Sequence, residues 1–312
     1  MAVIGAGQVG ATAAQRILEK GLSDVALFDV VEGMPQGKAL DLMEAAPLEG
    51  HDRRIVGTND YKDIEGAEIV VVTAGLPRKP GMTREDLLAL NAKIVSEVSG
   101  NIRKFAPDSK VIIVTNPLDI MTHWAWRLLG FPKNRVFGMA GVLDTARMRY
   151  FIAERLQAIP RDVEAIVLGG HGDLMVPVSS HSTVGKKPVK ECIAPDALAQ
   201  IEQRTRDGGA EIVAFLKTGS AFYAPASSVC EMVRAVLRNE RKVLPICAYV
   251  EGQYGIRDIY FGVPAELGKN GVEKIVEISL TDSEKKSLAL SAEKVRQGIE
   301  EIGRLKIGAR DG

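Results

Sequence analysis

The chain has 312 residues, enough for two domains or one large α/β unit. Its residues are 46% apolar and 26% charged, the balance of a globular protein with ample material for a core. Forty basic residues offset forty acidic ones, and a net charge of zero speaks against a general nucleic-acid or polyanion binder while leaving room for local positive sites.

The first half alternates. Short apolar runs, "MAVIGAG", "VALFDV", "AEIVVVTAG" and "KVIIVTNP", are separated by helical periodicity at 9–20, 33–46, 84–105 and 117–130. Continuous apolar strands divided by helices predict an α/β fold, a doubly wound parallel sheet covered on both faces and joined by right-handed crossovers. After "RVFGMAGVLD" the texture changes. A helix is expected over 142–158, and then "EAIVLGGHGD", "MVPVSSHSTV", "VLPICAYV" and "DIYFGVPAEL" are more alternating, as in antiparallel ribbons. Further helices are expected near 195–217, 225–239 and 281–305. This reads as a nucleotide-binding domain over 1–143 and an α+β substrate domain over 144–312. No Gly/Ser-rich linker divides them, so tight packing around a crevice is expected. The final "IGARDG" reads as a frayed tail.

Cys192, Cys230 and Cys247 lack metal-ligand spacing and are expected to be reduced and buried. That fits a reducing compartment, hence the cytoplasm. The opening "MAVIGAG" shows neither the basic region nor the long apolar core of a signal peptide. No run approaches ~18 apolar residues, so no membrane span is expected.

"VIGAGQVG" places Gly5, Gly7 and Gly10 in a G-x-G-x-x-G pattern at the end of the first apolar run. One glycine makes the turn, the next lets the backbone approach a pyrophosphate, and the third lets helix and strand pack closely. The anion would rest on free N–H groups at the helix N-terminus. Asp29 follows Gly10 by 19 residues, at the end of the second strand, where a carboxylate accepts from both ribose hydroxyls of an adenosine. It would repel a 2′-phosphate, and no Arg or Lys lies between Asp29 and Lys38, so NAD is favoured over NADP. By itself the pattern also fits flavoproteins, methyltransferases and NAD-binding regulators, and Asp29 also fits a strand-end cap.

Of four histidines, His171 stands apart: "LGGHGDLMVP" leaves its imidazole uncrowded at a strand end. His51, His123 and His181 read as surface or packing residues, His123 beside Trp124 and Trp126 on a helix. In "GVLDTARMRYF", Asp144 and Arg147 share a helix face. They read as an ion pair, or as two tools: Asp144 holding the His171 ring and Arg147 facing a ligand carboxylate. Asn116 in "TNPLD" ends a parallel strand, on the ligand side of an open sheet. "TAGLPRKPGMTRED" carries Arg78 and Arg84, six residues apart, in a loop punctuated by glycine and proline.

Taken in order, "GAGQVG", "PRKPGMTRED", "TNPLD", "GVLDTARMRYF" and "GGHGD" resemble the lactate/malate dehydrogenase superfamily, nearest its lactate-dehydrogenase-like bacterial malate enzymes. The similarity continues through "LKTGSAFYAPA" and "GQYGIRDIYFGVP". It implies a Rossmann sheet followed by an α+β substrate domain, and reversible NAD-dependent oxidation of (S)-malate to oxaloacetate. It also implies cofactor contacts from Gly5, Gly7, Gln8, Val9, Gly10, Asp29, Thr73, Ala74, Gly75, Asn91, Thr115 and Asn116.

The resemblance further implies His171 as acid/base oriented by Asp144, and Arg84 polarising the reacting C–O bond. Arg147 would grip the C1 carboxylate, and Asn116 would add a hydrogen bond at the reacting centre. Arg78 stands where lactate enzymes generally carry glutamine, and arginine matches the malate pattern. The loop over 73–86 would be a lid bringing both cations down. Arg147 and Arg78 match the two charges of oxaloacetate. Pyruvate would leave Arg78 buried without a partner, at about 3–5 kcal/mol, roughly two to three decades of discrimination. No metal is expected, because arginine and histidine fill the electrophilic role. The helix near 33–46 has an apolar stripe, and the resemblance implies a homo-oligomer, tetramer ahead of dimer. The alternatives are a lactate or other 2-hydroxyacid dehydrogenase, and an NAD-sensing protein without turnover.

Overall fold

The computed structural model describes residues 1–77 and 82–305, with the side chain of Arg84 outside the described set. The expectations placed on Arg78, Pro80, Gly81, the Arg84 side chain and the "IGARDG" tail lie outside the described residues.

The first half builds β1 (Ala2–Ile4), α1 (Gln8–Glu19), β2 (Val25–Phe28), α2 (Met34–Glu49), β3 (Ile55–Thr58), β4 (Ile69–Val72), α3 (Arg84–Phe105), β5 (Lys110–Ile113), α4 (Leu118–Leu129) and β6 (Val136–Gly138). The second half begins with α5 (Gly141–Leu156), β7 (Val163–Glu164), β8 (Val167–Gly169), β9 (Met175–Pro177), β10 (Thr183–Val184) and β11 (Lys187–Pro188). It continues with α6 (Val189–Cys192), α7 (Pro195–Leu216), α8 (Tyr223–Leu237), β12 (Lys242–Glu251), β13 (Arg257–Gly268), β14 (Gly271–Ile275) and α9 (Asp282–Arg304).

Six strands run parallel in the order β3-β2-β1-β4-β5-β6. Their near-continuous apolar sequence follows from burial on both faces. Val3, Ile69, Val71 and Ile112 enter one core layer with α1 and α8. Ala2, Ile4, Val70, Val72, Val111 and Ile113 enter the other, with α3 and α4. Chain order reverses between β1 and β4, and such a reversal opens a crevice at the carboxyl ends of the strands.

The second half does not form a separate sheet, as its ribbon texture suggested. β12, β13 and β14 add antiparallel strands beyond β6, where Cys247 lies opposite Gly138, and the sheet becomes nine-stranded. The open edge of β6 needs a partner for its backbone groups, and β12 supplies it. The remaining ribbons are small: β8 with β9, and β10 between β7 and β11.

One detail corrects the expectations. Cys192 is exposed, because it ends the four-residue helix α6 on the surface; Cys230 and Cys247 are buried. α2 carries apolar residues on two sides: Pro35, Ala39 and Ala46 face the core, while Leu40 and Leu48 are exposed among the described residues, in keeping with the expected stripe. Among the described residues, no helix is long and apolar enough to cross a membrane.

Candidate active site

The carboxyl ends of β1, β4 and β5 meet at the crevice. β1 runs into Gly5, whose φ of +104° favours glycine. A Cβ on Gly10 would lie 1.9 Å from the Gly5 carbonyl oxygen, so strand and helix approach as only glycine permits. Among the described residues, a Cβ on Gly7 would meet nothing within 4 Å, so none of them crowds the start of α1. Gly7 offers no side-chain cap, and the first-turn N–H groups of Gln8, Val9 and Gly10 have no intrahelical acceptors. An open, uncapped helix start fits a pyrophosphate.

Asp29 stands just past β2. Its Oδ2 accepts from the Ala6 N–H at 2.7 Å and its Oδ1 from the Val31 N–H at 3.0 Å. A carboxylate has about four acceptor sites, so two bonds fix it and leave capacity for ribose hydroxyls. Lys38 of α2 donates from Nζ to the Ala6 carbonyl at 2.6 Å. The sequence offered no sign that this cation reaches the loop.

The crevice floor is stitched by side chains. Thr73 Oγ1 donates to the carbonyls of Ile4 and Gly5, at 3.1 and 3.0 Å. Thr115 Oγ1 donates to the Ala74 carbonyl at 2.6 Å, and a Cβ on Gly75 would lie 2.6 Å from Thr115 Cγ2. Buried Asn91 of α3 accepts from the Leu76 N–H at 2.8 Å and donates to the Asn116 carbonyl at 2.7 Å. The structure thus brings Gly5–Gly10, Thr73–Gly75, Asn91, Thr115 and Asn116 to one floor, with Asp29 at its edge. The residues present fit NAD.

His171 stands on the turn between β8 and β9. Its Nδ1 lies 2.9 Å from Asp144 Oδ2, on the buried first turn of α5. Burial alone would lower the imidazole, but the charge and hydrogen bond of Asp144 outweigh it and hold His171 above its ordinary value. With Nδ1–H donated to Asp144, Nε2 presents a lone pair. Arg147 Nη1 lies 3.6 Å from Asp144 Oδ1, so the expected ion pair is present while the other carboxylate oxygen of Asp144 holds the His171 ring. Burial pulls the Arg147 guanidinium down and Asp144 opposes this; an arginine stays charged regardless. Its Nε is buried with no hydrogen-bond partner among the described residues. A buried fork beside a perturbed histidine suits a carboxylate whose neighbouring carbon undergoes proton chemistry.

Two supports of His171 carried no signal in the sequence. Buried Asp119 of α4 accepts the His171 N–H through Oδ2 at 2.8 Å. Burial pushes the Asp119 carboxyl up, against that bond. Ser291 of α9 accepts from the Gly170 N–H at 2.9 Å and donates to the Leu174 carbonyl at 2.7 Å. Beyond the loop that carries Arg78, Thr83 starts α3 with a capping box: its Oγ1 accepts from the Asp86 N–H, and the Asp86 carboxylate accepts from the Thr83 N–H, both at 3.0 Å.

Two family models match this chain. The lactate/malate dehydrogenase NAD binding domain covers residues 1–138, and the lactate/malate dehydrogenase alpha/beta C-terminal domain covers 141–305. A malate dehydrogenase of Trichormus variabilis is 53% identical over 96% of this chain and 93% of its own length. One of Methanosarcina mazei is 53% identical over 97% and 98%. Among solved structures, a malate dehydrogenase of Cryptosporidium parvum superposes with a TM-score of 0.95 at 44% identity, covering 97% of this chain and 98% of that one. A lactate dehydrogenase of the same organism, complexed with lactic acid and nicotinamide adenine dinucleotide, gives 0.94 at 41%, covering 97% of each chain. With both halves matched, the chain belongs to the lactate/malate dehydrogenase family.

Proposed function

We propose that the protein is an NAD-dependent malate dehydrogenase, interconverting (S)-malate and oxaloacetate. The observation that carries the 2-hydroxyacid dehydrogenase chemistry is the His171 ring bonded to Asp144 at 2.9 Å beside the buried fork of Arg147. The relatives named malate dehydrogenase, at 53% identity, support it. When bound, NAD accepts or returns the hydride at its nicotinamide ring.

The protein's residues do the rest. In oxidation, neutral His171 takes the C2 hydroxyl proton at Nε2 as the hydride leaves C2; in reduction the proton returns to oxygen. Asp144 fixes the tautomer and stabilises the imidazolium. Asp119 holds the His171 backbone. Arg147 grips the C1 carboxylate through two parallel bonds, and Asn116 adds a hydrogen bond at the reacting centre. Arg84 polarises the ketone and Arg78 neutralises the distal carboxylate; both roles rest on sequence alone. The cofactor contacts are those of Gly5, Gly7, Gln8, Val9, Gly10, Asp29, Thr73, Ala74, Gly75, Asn91, Thr115 and Asn116. Residues 1–143 and 144–312 act as nucleotide and substrate units. The reading extends to a cytoplasmic homo-oligomer serving the tricarboxylic acid cycle.

A lactate enzyme superposes nearly as well as a malate enzyme, so the fold does not choose the substrate. Arg78 makes the choice. The test is NADH oxidation with oxaloacetate and pyruvate in parallel, for the wild type and Arg78→Gln. Wild type should strongly prefer oxaloacetate, and the variant should shift the ratio toward pyruvate by roughly two to three decades. An unchanged ratio removes Arg78 from the site. No turnover of either acid, with NADH still bound, would favour the sensor.

A further inference from the structure

Gly208 and Gly209 stand side by side in the interior of α7. Glycine is the poorest helix former after proline. Neither has a positive φ, so the backbone gives no reason for them. Space does. A Cβ on Gly208 would lie 3.0 Å from Arg147 Cδ and 3.4 Å from Nε, tighter than ordinary contact. A Cβ on Gly209 would lie 3.7 Å from Nη2 and 3.9 Å from Nη1, which is ordinary contact. The Arg147 side chain therefore lies flat along the bare backbone of α7. Helical glycines differ in this respect: among the described residues a Cβ on Gly37, Gly100 or Gly303 would meet nothing within 4 Å, whereas one on Gly10, Gly141 or Gly298 would be crowded.

The Arg147 side chain has little freedom to yield. It is 13% exposed, and Asp144 stands 3.6 Å from Nη1. The Phe151 ring, 3.7 Å from the same Cβ position, closes the neighbouring space.

We propose that Gly208 is a positioning residue for substrate binding: the missing side chain sets the depth of the Arg147 fork and thereby its grip on the C1 carboxylate. This rests on the reading of Arg147 as the carboxylate fork. A fork displaced by a few tenths of an ångström keeps its charge but misaligns one of two parallel bonds. The binding it loses is common to ground and transition states, so KM should rise more than kcat falls.

The test compares Gly208→Ala, Gly209→Ala and Arg147→Ala, with the double variant Gly208→Ala/Arg147→Ala. Gly208→Ala should raise KM for oxaloacetate about tenfold, with kcat within about threefold and NADH affinity unchanged. Gly209→Ala should leave KM within about twofold. In the Arg147→Ala background the tight contacts at 3.0 and 3.4 Å are gone and only the ordinary contact with Phe151 remains, so alanine should raise Tm by about 2–4 °C, more than in the wild type. KM for Gly208→Ala within twofold of wild type, an equal rise for Gly209→Ala, or a matching fall in kcat overturns the proposal. If the wild type fails to turn over oxaloacetate, the malate reading fails, and the melting temperatures alone decide whether positions 208 and 147 are coupled.

Discussion

His171 is held by two carboxylates, Asp144 at the ring and Asp119 at the backbone. Under the proposed role of His171 as acid/base, malate oxidation would need the neutral imidazole, and the acid limb of kcat/KM would follow the His171 pKa in the free enzyme. Asp144 holds that pKa above its ordinary value. Asp144→Asn should therefore move the acid limb to lower pH and cut the maximal rate by about 10²–10⁴, as the base loses its orientation. The pH profiles of the two proteins check this, and a limb that stays in place would remove Asp144 from its role. His171, Asp144 and Arg147 were legible because glycine setting and helical spacing are local. Asp119 and Lys38 were not, and Asn91 was reached only through the family resemblance. Their bonds run from side chain to backbone across 52, 32 and 25 residues, and local patterning does not encode such pairs.

The helices were the most legible elements, since their periodicity runs over several turns. The expected 84–105 coincides with α3, and 195–217 exceeds α7 by one residue. β6 went unread because three residues carry no period. His123 on α4 was read as packing, and it is: its ring meets Trp126 and Tyr260 edge-on at 5.5 and 6.1 Å. Burial, aided by the charge of Arg127, lowers it to about 4, and its Nδ1 has no partner among the described residues. Between about pH 4 and 6.5 the unfolded chain binds a proton there and the folded chain does not. Stability should thus fall as pH drops from 6.5 to 4, by about 3 kcal/mol from this residue. His123→Phe keeps the ring contacts and removes the titration. Melting temperatures at neutral pH and pH ~5 should fall further for wild type than for the variant. Equal falls would mean that His123 is already protonated in the folded state.

At the scale of the molecule, the halves share one sheet, yet the pairing of β6 with β12 rests on Cys247 and Gly138 and had no sequence pattern to announce it. Several apolar side chains of α2 and β3 lie exposed among the described residues. Leu40 and Leu48 of α2 are 62% and 89% exposed, and Val56 of adjacent β3 is 58% exposed. Leu40, Pro47 and Leu48 fall on one side of the helix. Covering a leucine contributes about 1.5–3 kcal/mol, so a second copy of the chain over α2 would be stabilising. The wild type should sediment at a multiple of the chain mass, and Leu40→Glu/Leu48→Glu should shift it to smaller species, because a glutamate buried in the contact would lack a partner. A wild type that sediments as a single chain removes the oligomer. A variant of unchanged mass moves the contact away from α2. The inner side of α2 carries Lys38, bonded to the Ala6 carbonyl. Loss of the contact should therefore also raise KM for NADH, because the helix that loses its outer support is the one that steadies the glycine loop.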